Sequence, residues 1–222
     1  MWKAPEMWKN GECFIIGGGP SMLRQFHVPQ ETVTKVIKRE LPVSEYSPYL
    51  KALHDKHIVG INMAFQLGDW VDVLFFGDHG YFKNNTRDIL QFPNLRVTCT
   101  EMKHPMIKIM GQYKTTYGLS GSTHHLCWNH NSGGAAIDLA VHFGVKRIIL
   151  LGFDMDAEDN HSHWHKLYAD KSRIRLSSTY KRHLKGFPVI QEQAEKLGVE
   201  ILNANPDSKI KCFKKVSVKE IL

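Results

Sequence analysis

The chain has 222 residues, 42% hydrophobic and 23% charged, proportions that fit a soluble globular protein with enough chain to bury a substantial core and exclude disordered or fibrous classes. No apolar run approaches the roughly 20 residues of a membrane span, and the opening Met-Trp-Lys-Ala-Pro-Glu lacks a signal-peptide apolar region, so a cytoplasmic protein without a membrane partner is expected. A net charge of +7 favours anionic ligands, from nucleotides and phosphates to nucleic acid.

In chain order, a first strand is expected over 12–17, since Phe14-Ile-Ile is a short apolar run ending at glycine. Such runs between breakers fit strands buried on both faces. Pro20-Ser21 then opens a helix, where the missing proline N–H costs nothing. Residues 27–56 form an excursion, helical but interrupted by Pro29, Pro42 and Pro48. Strands are expected over 57–62 and 71–78, a helix over 83–91 and a strand over 95–100. Residues 101–130 lack clean periodicity; their glycines, histidines and aromatics predict a long functional loop region. A compact alanine-rich helix over 132–144 and a strand over 148–153 follow, then a long polar segment over 154–179. A helix near 188–197, a strand over 199–203 and a short helix from about residue 217 complete the chain. Strands alternating with helices predict an α/β fold, Rossmann-like and doubly wound, with a mainly parallel sheet and helices on both faces. No linker or repeat divides it, so one nucleotide-binding domain over 1–222 is expected, with excursions near 27–56 and 101–130.

Three stretches carry chemistry. Gly17-Gly18-Gly19-Pro20-Ser21 follows the first strand; glycines let backbone approach a phosphate, and a helix start offers N–H groups and a favourable dipole. The pattern is neither a dinucleotide fingerprint nor a P-loop, and a tight strand-to-helix turn is the bland alternative. Asn131-Ser132-Gly133 opens the alanine-rich helix, with Ser132 as expected N-cap and glycines that allow a ligand to touch the helix start. It pairs with the strand ending in Gly152-Phe-Asp154, because the two lie side by side in a βαβ unit. In open α/β sheets ligands bind beyond the carboxyl ends of the strands.

The third stretch, Asp154-Met-Asp156 through His161, His163 and His165, places three alternate histidines after four carboxylates. Histidine serves as general base near neutral pH, and histidine with aspartate holds divalent metals. His165, with His163 second, is the expected base, in a polar setting with few core neighbours. Asp154, Asp156 and His161 are candidate ligands for Mg or Mn; the alternative for Asp154 is a structural carboxylate that accepts hydrogen bonds from the turn after its strand. Asn62 and Asp78, ending the second and third strands, reach the same edge as ribose or base contacts, or cap the following helices. Cys13, Cys99, Cys127 and Cys212 show no paired spacing and are read as reduced thiols.

Gly17-Gly-Gly-Pro-Ser-Met, Gly60-Ile-Asn62, Asn131-Ser-Gly, 148–154 and Ile201-Leu-Asn-Ala-Asn-Pro206 occur in an order that resembles the bacterial CMP-sialic-acid-dependent sialyltransferases. The wider group includes archaeal 6-hydroxymethyl-pterin diphosphokinases and proteins common in bacteriophages; Trp164-His165 and the ending around Cys212-Phe are similar to the phage members, whose location is the host cytoplasm. The resemblance implies a nucleotide-dependent, glycosyltransferase-like enzyme. The glycine loop and Ser132 hold phosphate and ribose, Asn62 contacts nucleotide or acceptor, and a histidine after the Asp154 strand deprotonates the acceptor hydroxyl. The nucleotide or nucleotide-sugar is then the substrate and the acceptor a second partner, nucleic acid among the options. Gly18 stands where those enzymes carry asparagine, and Asp156 where they carry a phosphate-holding tyrosine. A carboxylate facing a phosphate needs a screening metal, so either a cation or a donor other than a CMP-sugar is implied. A pyrophosphokinase-like enzyme using a nucleoside triphosphate and Mg, or a non-catalytic nucleotide-binding module, are the alternatives.

Overall fold

The computed structural model describes residues 1–156, 163–165 and 173–222, the side chains of 173–176 excepted. In chain order its elements are β1 (Glu12–Ile16), α1 (Ser21–Gln25), α2 (Gln30–Ile37), a 3₁₀ helix (Val43–Leu53), β2 (Ile58–Ile61), a second 3₁₀ helix (Asn62–Leu67), β3 (Val73–Phe76), α3 (His79–Gln91) and β4 (Leu95–Thr98). Then come β5 (Lys108–Ile109), β6 (Gly111–Tyr113), β7 (His125–Cys127), α4 (Ser132–His142), β8 (Arg147–Leu151), α5 (Arg173–His183), α6 (Phe187–Lys196), β9 (Glu200–Asn203), β10 (Lys214–Lys215) and a final 3₁₀ turn (Val218–Glu220).

Eight strands form one sheet in the order β10-β9-β8-β1-β2-β3-β4-β5, and every pairing in it is parallel. The fold is α/β and Rossmann-like. Alternation along the strands builds a core on each face. Cys13, Ile15, Val59, Phe75, Ile148 and Leu150 point to the side covered by α4 and α6. Phe14, Ile16, Ile58, Leu74, Ile149 and Leu151 point to the side of α1, α2 and the 3₁₀ helices. All twelve are fully buried, which is why continuous apolar runs, not alternating ones, mark these strands. Ala135, Ala136 and Ala140 of α4 are fully buried; small side chains let that helix lie close to the sheet.

Local differences from the expectation have simple causes. Pro48 does not break its helix but lies inside the 3₁₀ helix over Val43–Leu53, where the clash of its ring with the i−4 carbonyl of an α-helix does not arise. The region over 101–130 contains β5 and the parallel pair β6-β7, too short for periodicity to reveal. The polar stretch over 154–179 runs into α5 from Arg173 onward.

Strands β2 to β5 lie on one side of β1, and β8 to β10 on the other. The order reverses between β1 and β8, where the chain leaves the two carboxyl ends side by side. Ile16 pairs Leu151 on one flank and Gly60 on the other. This switch point is where open α/β sheets form their ligand crevice.

Candidate active site

The glycine loop and the end of β8 meet at the switch point. Gly17 N–H donates to the Leu151 carbonyl and Gly19 N–H to the Gly152 carbonyl, both at 2.8 Å, so the two backbones run together past the strands. A Cβ on Gly17 would lie 2.8 Å from the Gly152 oxygen and 3.2 Å from the Phe153 ring. Gly152 itself has φ +68, the left-handed region that glycine adopts without strain. Close backbone approach therefore requires Gly17 and Gly152 before any ligand is considered. At Gly17 the tight strand-to-helix turn alone accounts for the glycine.

Asp154 is the hub of the loop. It is buried, its carboxylate accepts the Ser21 N–H at 2.9 Å and the Asn205 amide at 2.9 Å, and the Ser21 hydroxyl also donates to it. The Asp154 carbonyl accepts the Lys209 N–H at 2.9 Å. A Cβ on Gly19 would lie 2.5 Å from the carboxylate carbon. Burial raises the Asp154 pKa; the Ser21 hydroxyl and N–H, the Arg24 charge and the Asn205 amide oppose that rise. Sequence reasoning places a phosphate at the start of α1. The structure places the chain's own carboxylate on the Ser21 N–H and hydroxyl there, and α1 has only five residues.

Residues 163–165 lie across the glycine loop. Trp164 donates its indole N–H to the Gly17 carbonyl at 2.7 Å and its backbone N–H to the Gly18 carbonyl at 2.9 Å. The indole is 1% exposed, and Tyr46 closes the anchor by donating its hydroxyl to the Trp164 carbonyl at 3.2 Å. His163 covers Gly18, where a Cβ would stand 2.5 Å from the ring's Cδ2. His165 is buried, not in the polar setting expected, with its ring 4.7 Å from that of Trp164 and 5.3 Å from that of His163. Burial, with His163 beside it, pushes the His165 pKa down to about 3, so its imidazole is neutral at physiological pH and weakly basic. His163 is half-buried and stands directly at the loop.

The second expected anchor, the start of α4, shares a wall with the first. A Cβ on Gly133 would lie 2.8 Å from Phe153 Cε1, so Gly17 and Gly133 flank the same ring. The N-cap is Asn131 rather than Ser132: Asn131 is extended and its Oδ1 accepts the Gly134 N–H at 2.6 Å. Ser132 is the first helical residue, 8% exposed. Asn129, just upstream, is fully buried and staples the Gly118 loop, accepting its N–H at 2.7 Å and donating to its carbonyl at 2.9 Å. Asn129 and His130 are both left-handed, at φ +53 and +54, local strain of the kind that collects at functional sites.

Asn62 follows β2, the other neighbour of β1, at the same carboxyl edge. It is left-handed at φ +52, and its Oδ1 is buried with no hydrogen-bond partner among the described residues. A buried acceptor left unmade costs about 1–3 kcal/mol. Asp78 is exposed and caps α3 by position, without a side-chain cap bond.

The described aspartates do not fit a divalent cation. Both Asp154 oxygens are engaged by protein donors, and Asp156 faces Lys209 Nζ at 3.4 Å. Among the described residues no group of three ligating side chains converges. His161 lies outside the described residues.

Sequence reasoning missed Tyr46 and Asp138, whose contacts reach far along the chain. Asp138 of α4 is fully buried and accepts the Ser120 N–H at 2.9 Å and the Cys127 N–H at 2.8 Å, fixing the 118–127 loop beside the α4 N-terminus. Burial pushes its pKa up to about 8. His142 Nε2 stands 3.5 Å away, and burial holds its pKa below the ordinary value. An aspartate inside an alanine-rich helix is the sequence signal that could have exposed this lock.

No family model and no curated sequence matches the chain. Among solved structures it is similar to the sialyltransferase CstII from Campylobacter jejuni in complex with cytidine-5'-monophosphate, at 12% identity and a TM-score of 0.50, over 93% of this chain and 84% of that one. Complexes of CstII with CMP-3FNeuAc and of a CST-II variant with CMP give TM-scores of 0.46 and 0.49, both at 12% identity, covering 93% and 91% of this chain and 85% and 84% of those chains. At this identity the likeness establishes a shared fold.

Proposed function

We propose that this chain is a glycosyltransferase-like enzyme that takes a sugar from a nucleotide donor at the β1/β8 switch point and passes it to an acceptor hydroxyl. The observation that carries the reading is convergence: the glycine loop, the α4 start and His163 gather around Gly17, Gly18 and Phe153 at the edge where such folds bind nucleotides. The fold shared with a CMP-binding sialyltransferase supports it.

In this reading the donor phosphate lies at the α4 N-terminus. The α1 start is answered by Asp154, whereas Ser132 and Gly133 open an 11-residue helix whose cap serves Gly134. Backbone N–H groups and the helix dipole favour an anion there. Asn62, with its unmatched buried oxygen, accepts from a base or ribose donor. Asp78 and Gly152 border the same edge.

His163 takes the acceptor proton. The hydroxyl oxygen attacks the anomeric carbon, the bond to the donor phosphate breaks with its electron pair leaving on the phosphate, and the hydroxyl proton passes to the imidazole. His165, neutral and buried behind it, positions the ring pair. No step is routed through a metal, because the described carboxylates are engaged by protein partners. The same engagement of Asp154 and Asp156 favours this reading over the pyrophosphokinase-like alternative.

A thermal-shift screen of CMP, UDP, GDP and ATP and their sugars tests the donor site; a ligand at a hundred times its Kd adds roughly 2.7 kcal/mol. General-base catalysis contributes about 10²- to 10⁴-fold, so His163→Ala should lose that much donor turnover while binding the nucleotide unchanged. Absence of any nucleotide shift would refute the reading, and full activity of His163→Ala would remove it as the base.

A further inference from the structure

Beside the carboxyl edge the chain carries a surface unlike the rest of it. Residues 173–222 hold eleven Lys and Arg against five Asp and Glu, a surplus of six out of the whole chain's +7. Two segments concentrate it. Residues 171–191 contain no acidic residue, and Lys181, Arg182 and Lys185 at the end of α5 are exposed. Residues 208–219 also contain none, and Lys211, Lys214 and Lys215 are exposed.

The two segments meet in space. Phe187, the first residue of α6, packs on Phe213 with ring centroids 5.7 Å apart, and Leu184 and Cys212 border the same core. The chain segments that carry Lys185 and Lys214 therefore run close together. The surface also reaches the candidate site, because the Asn131 amide donates to the His183 carbonyl at 3.5 Å.

Half-buried rings lie within and beside these segments. Tyr180 and His183 lie 6.2 Å apart, and Tyr117 and His130 5.2 Å apart. Tyr117 Cδ1 comes within 3.2 Å of where a Cβ on Gly186 would stand, so this second pair sits at the α5–α6 junction. Clustered cations attract any polyanion. Cations beside rings match a chain that has both phosphates and unstacked bases.

We propose that this rim binds single-stranded nucleic acid, its phosphates along Lys181, Arg182, Lys185 and the 211–215 lysines and its bases against the rings at the α5–α6 junction. The rim adjoins the donor site, but the proposal does not require that site to bind a nucleotide.

The test is fluorescence anisotropy of a labelled single-stranded oligonucleotide of about 20 residues, titrated with the intact protein over a range of salt. Binding is expected with Kd on the order of 10⁻⁶ to 10⁻⁵ M at low salt, and log Kobs should fall linearly with log salt by roughly 0.7 per phosphate contacted. Lys181→Glu/Arg182→Glu/Lys185→Glu should reduce that slope by about 2 and the affinity at least about tenfold. A triple with the same charge change on the other face, Lys38→Glu/Lys51→Glu/Lys56→Glu, should stay near wild type. Tyr117→Ala should weaken the oligonucleotide by about tenfold, as loss of one stacked base does, and leave heparin binding unaltered. If the first triple does not fold by circular dichroism, Arg182→Glu and Lys214→Glu singly supply the slopes. No anisotropy change, equal losses in the two triples, or duplex and heparin bound as tightly as the single strand with Tyr117→Ala silent, each overturns the proposal; the last result makes the rim a general polyanion surface.

Discussion

Replacing Asp154 with alanine strips the acceptor from three donors at once: the Ser21 N–H, the Ser21 hydroxyl and the Asn205 amide. The site is 8% exposed, so water replaces the lost oxygens poorly. An orphaned buried polar group costs about 1–3 kcal/mol. The serine hydroxyl can rotate to another partner, so the sum for the remaining two and the partial third is about 4 kcal/mol. For a chain of this size each kcal/mol lowers Tm by roughly 2–4 °C, giving a drop of about 8–16 °C. Asp154→Asn keeps one acceptor oxygen but turns an amide N–H toward a donor, and about half that loss is expected. Asp156 is the built-in control two residues on. Its side chain is 31% exposed and meets Lys209 at 3.4 Å, a pairing worth about 0–1 kcal/mol, so Asp156→Asn should melt within about 2 °C of wild type. Urea unfolding followed by circular dichroism reads all three, with an unchanged m-value showing that stability alone has moved. If Asp154→Ala melts like wild type while nucleotide affinity collapses, the carboxylate faces ligand rather than protein, and the hub described above is wrong.

Neighbouring glycines should separate function from folding: Gly18→Ala displaces the His163 ring and should cut turnover with a small Tm loss, while Gly19→Ala drives its methyl into Asp154 and should cost mainly Tm. Turnover and melting measured on both variants decide this, and identical effects would contradict it. Asp138, raised to about 8 when folded from an ordinary value of about 3.9, holds its proton better folded than unfolded, so its contribution is complete below about pH 4 and is lost as pH rises to about 8. The depressed His142 and His165 act oppositely, but only up to about pH 6.5. Denaturation midpoints should therefore fall between about pH 6.5 and 8 in the wild type, and Asp138→Asn should flatten that fall. Calorimetric titration of a bound nucleotide should give the same affinity with and without EDTA; a sharp loss in EDTA would restore a metal to the site, with His161 the first ligand to test.

The fold was legible because burial on both faces writes itself as short apolar runs. Phe14-Ile-Ile, Val73-Leu-Phe-Phe and Ile148-Ile-Leu-Leu each become strands of one parallel sheet. Of the candidate site, only the neighbourhood was legible. Gly17, Gly18, Gly133, Phe153 and His163 are drawn together at the edge where buried strands end. What the sequence could not display is which partner each polar group takes. Asp154 read as a phosphate-side, metal-side or structural carboxylate, and nothing local shows that it reaches Ser21, 133 residues away. Ser132 read as a cap because serine and asparagine are nearly equal in that role, and only backbone geometry assigns it to Asn131. His165 read as solvated because the polar letters around it hide the Trp164 anchor, whose partners lie at Gly17 and Tyr46.

The position of β1 at the middle of the sheet sets a timetable for synthesis. It gains β2 as a neighbour after about 60 residues, but its other edge waits for β8, which begins at Arg147. At ribosomal speeds of about 5–20 residues per second, that edge stays open for roughly 4 to 17 seconds. During this interval the emerging half-sheet offers a row of unpaired N–H and carbonyl groups beside Cys13, Phe14 and Ile15, a template for pairing with other chains. Nascent chains halted before Arg147 should recruit chaperones or aggregate, and those extended past β9 should not.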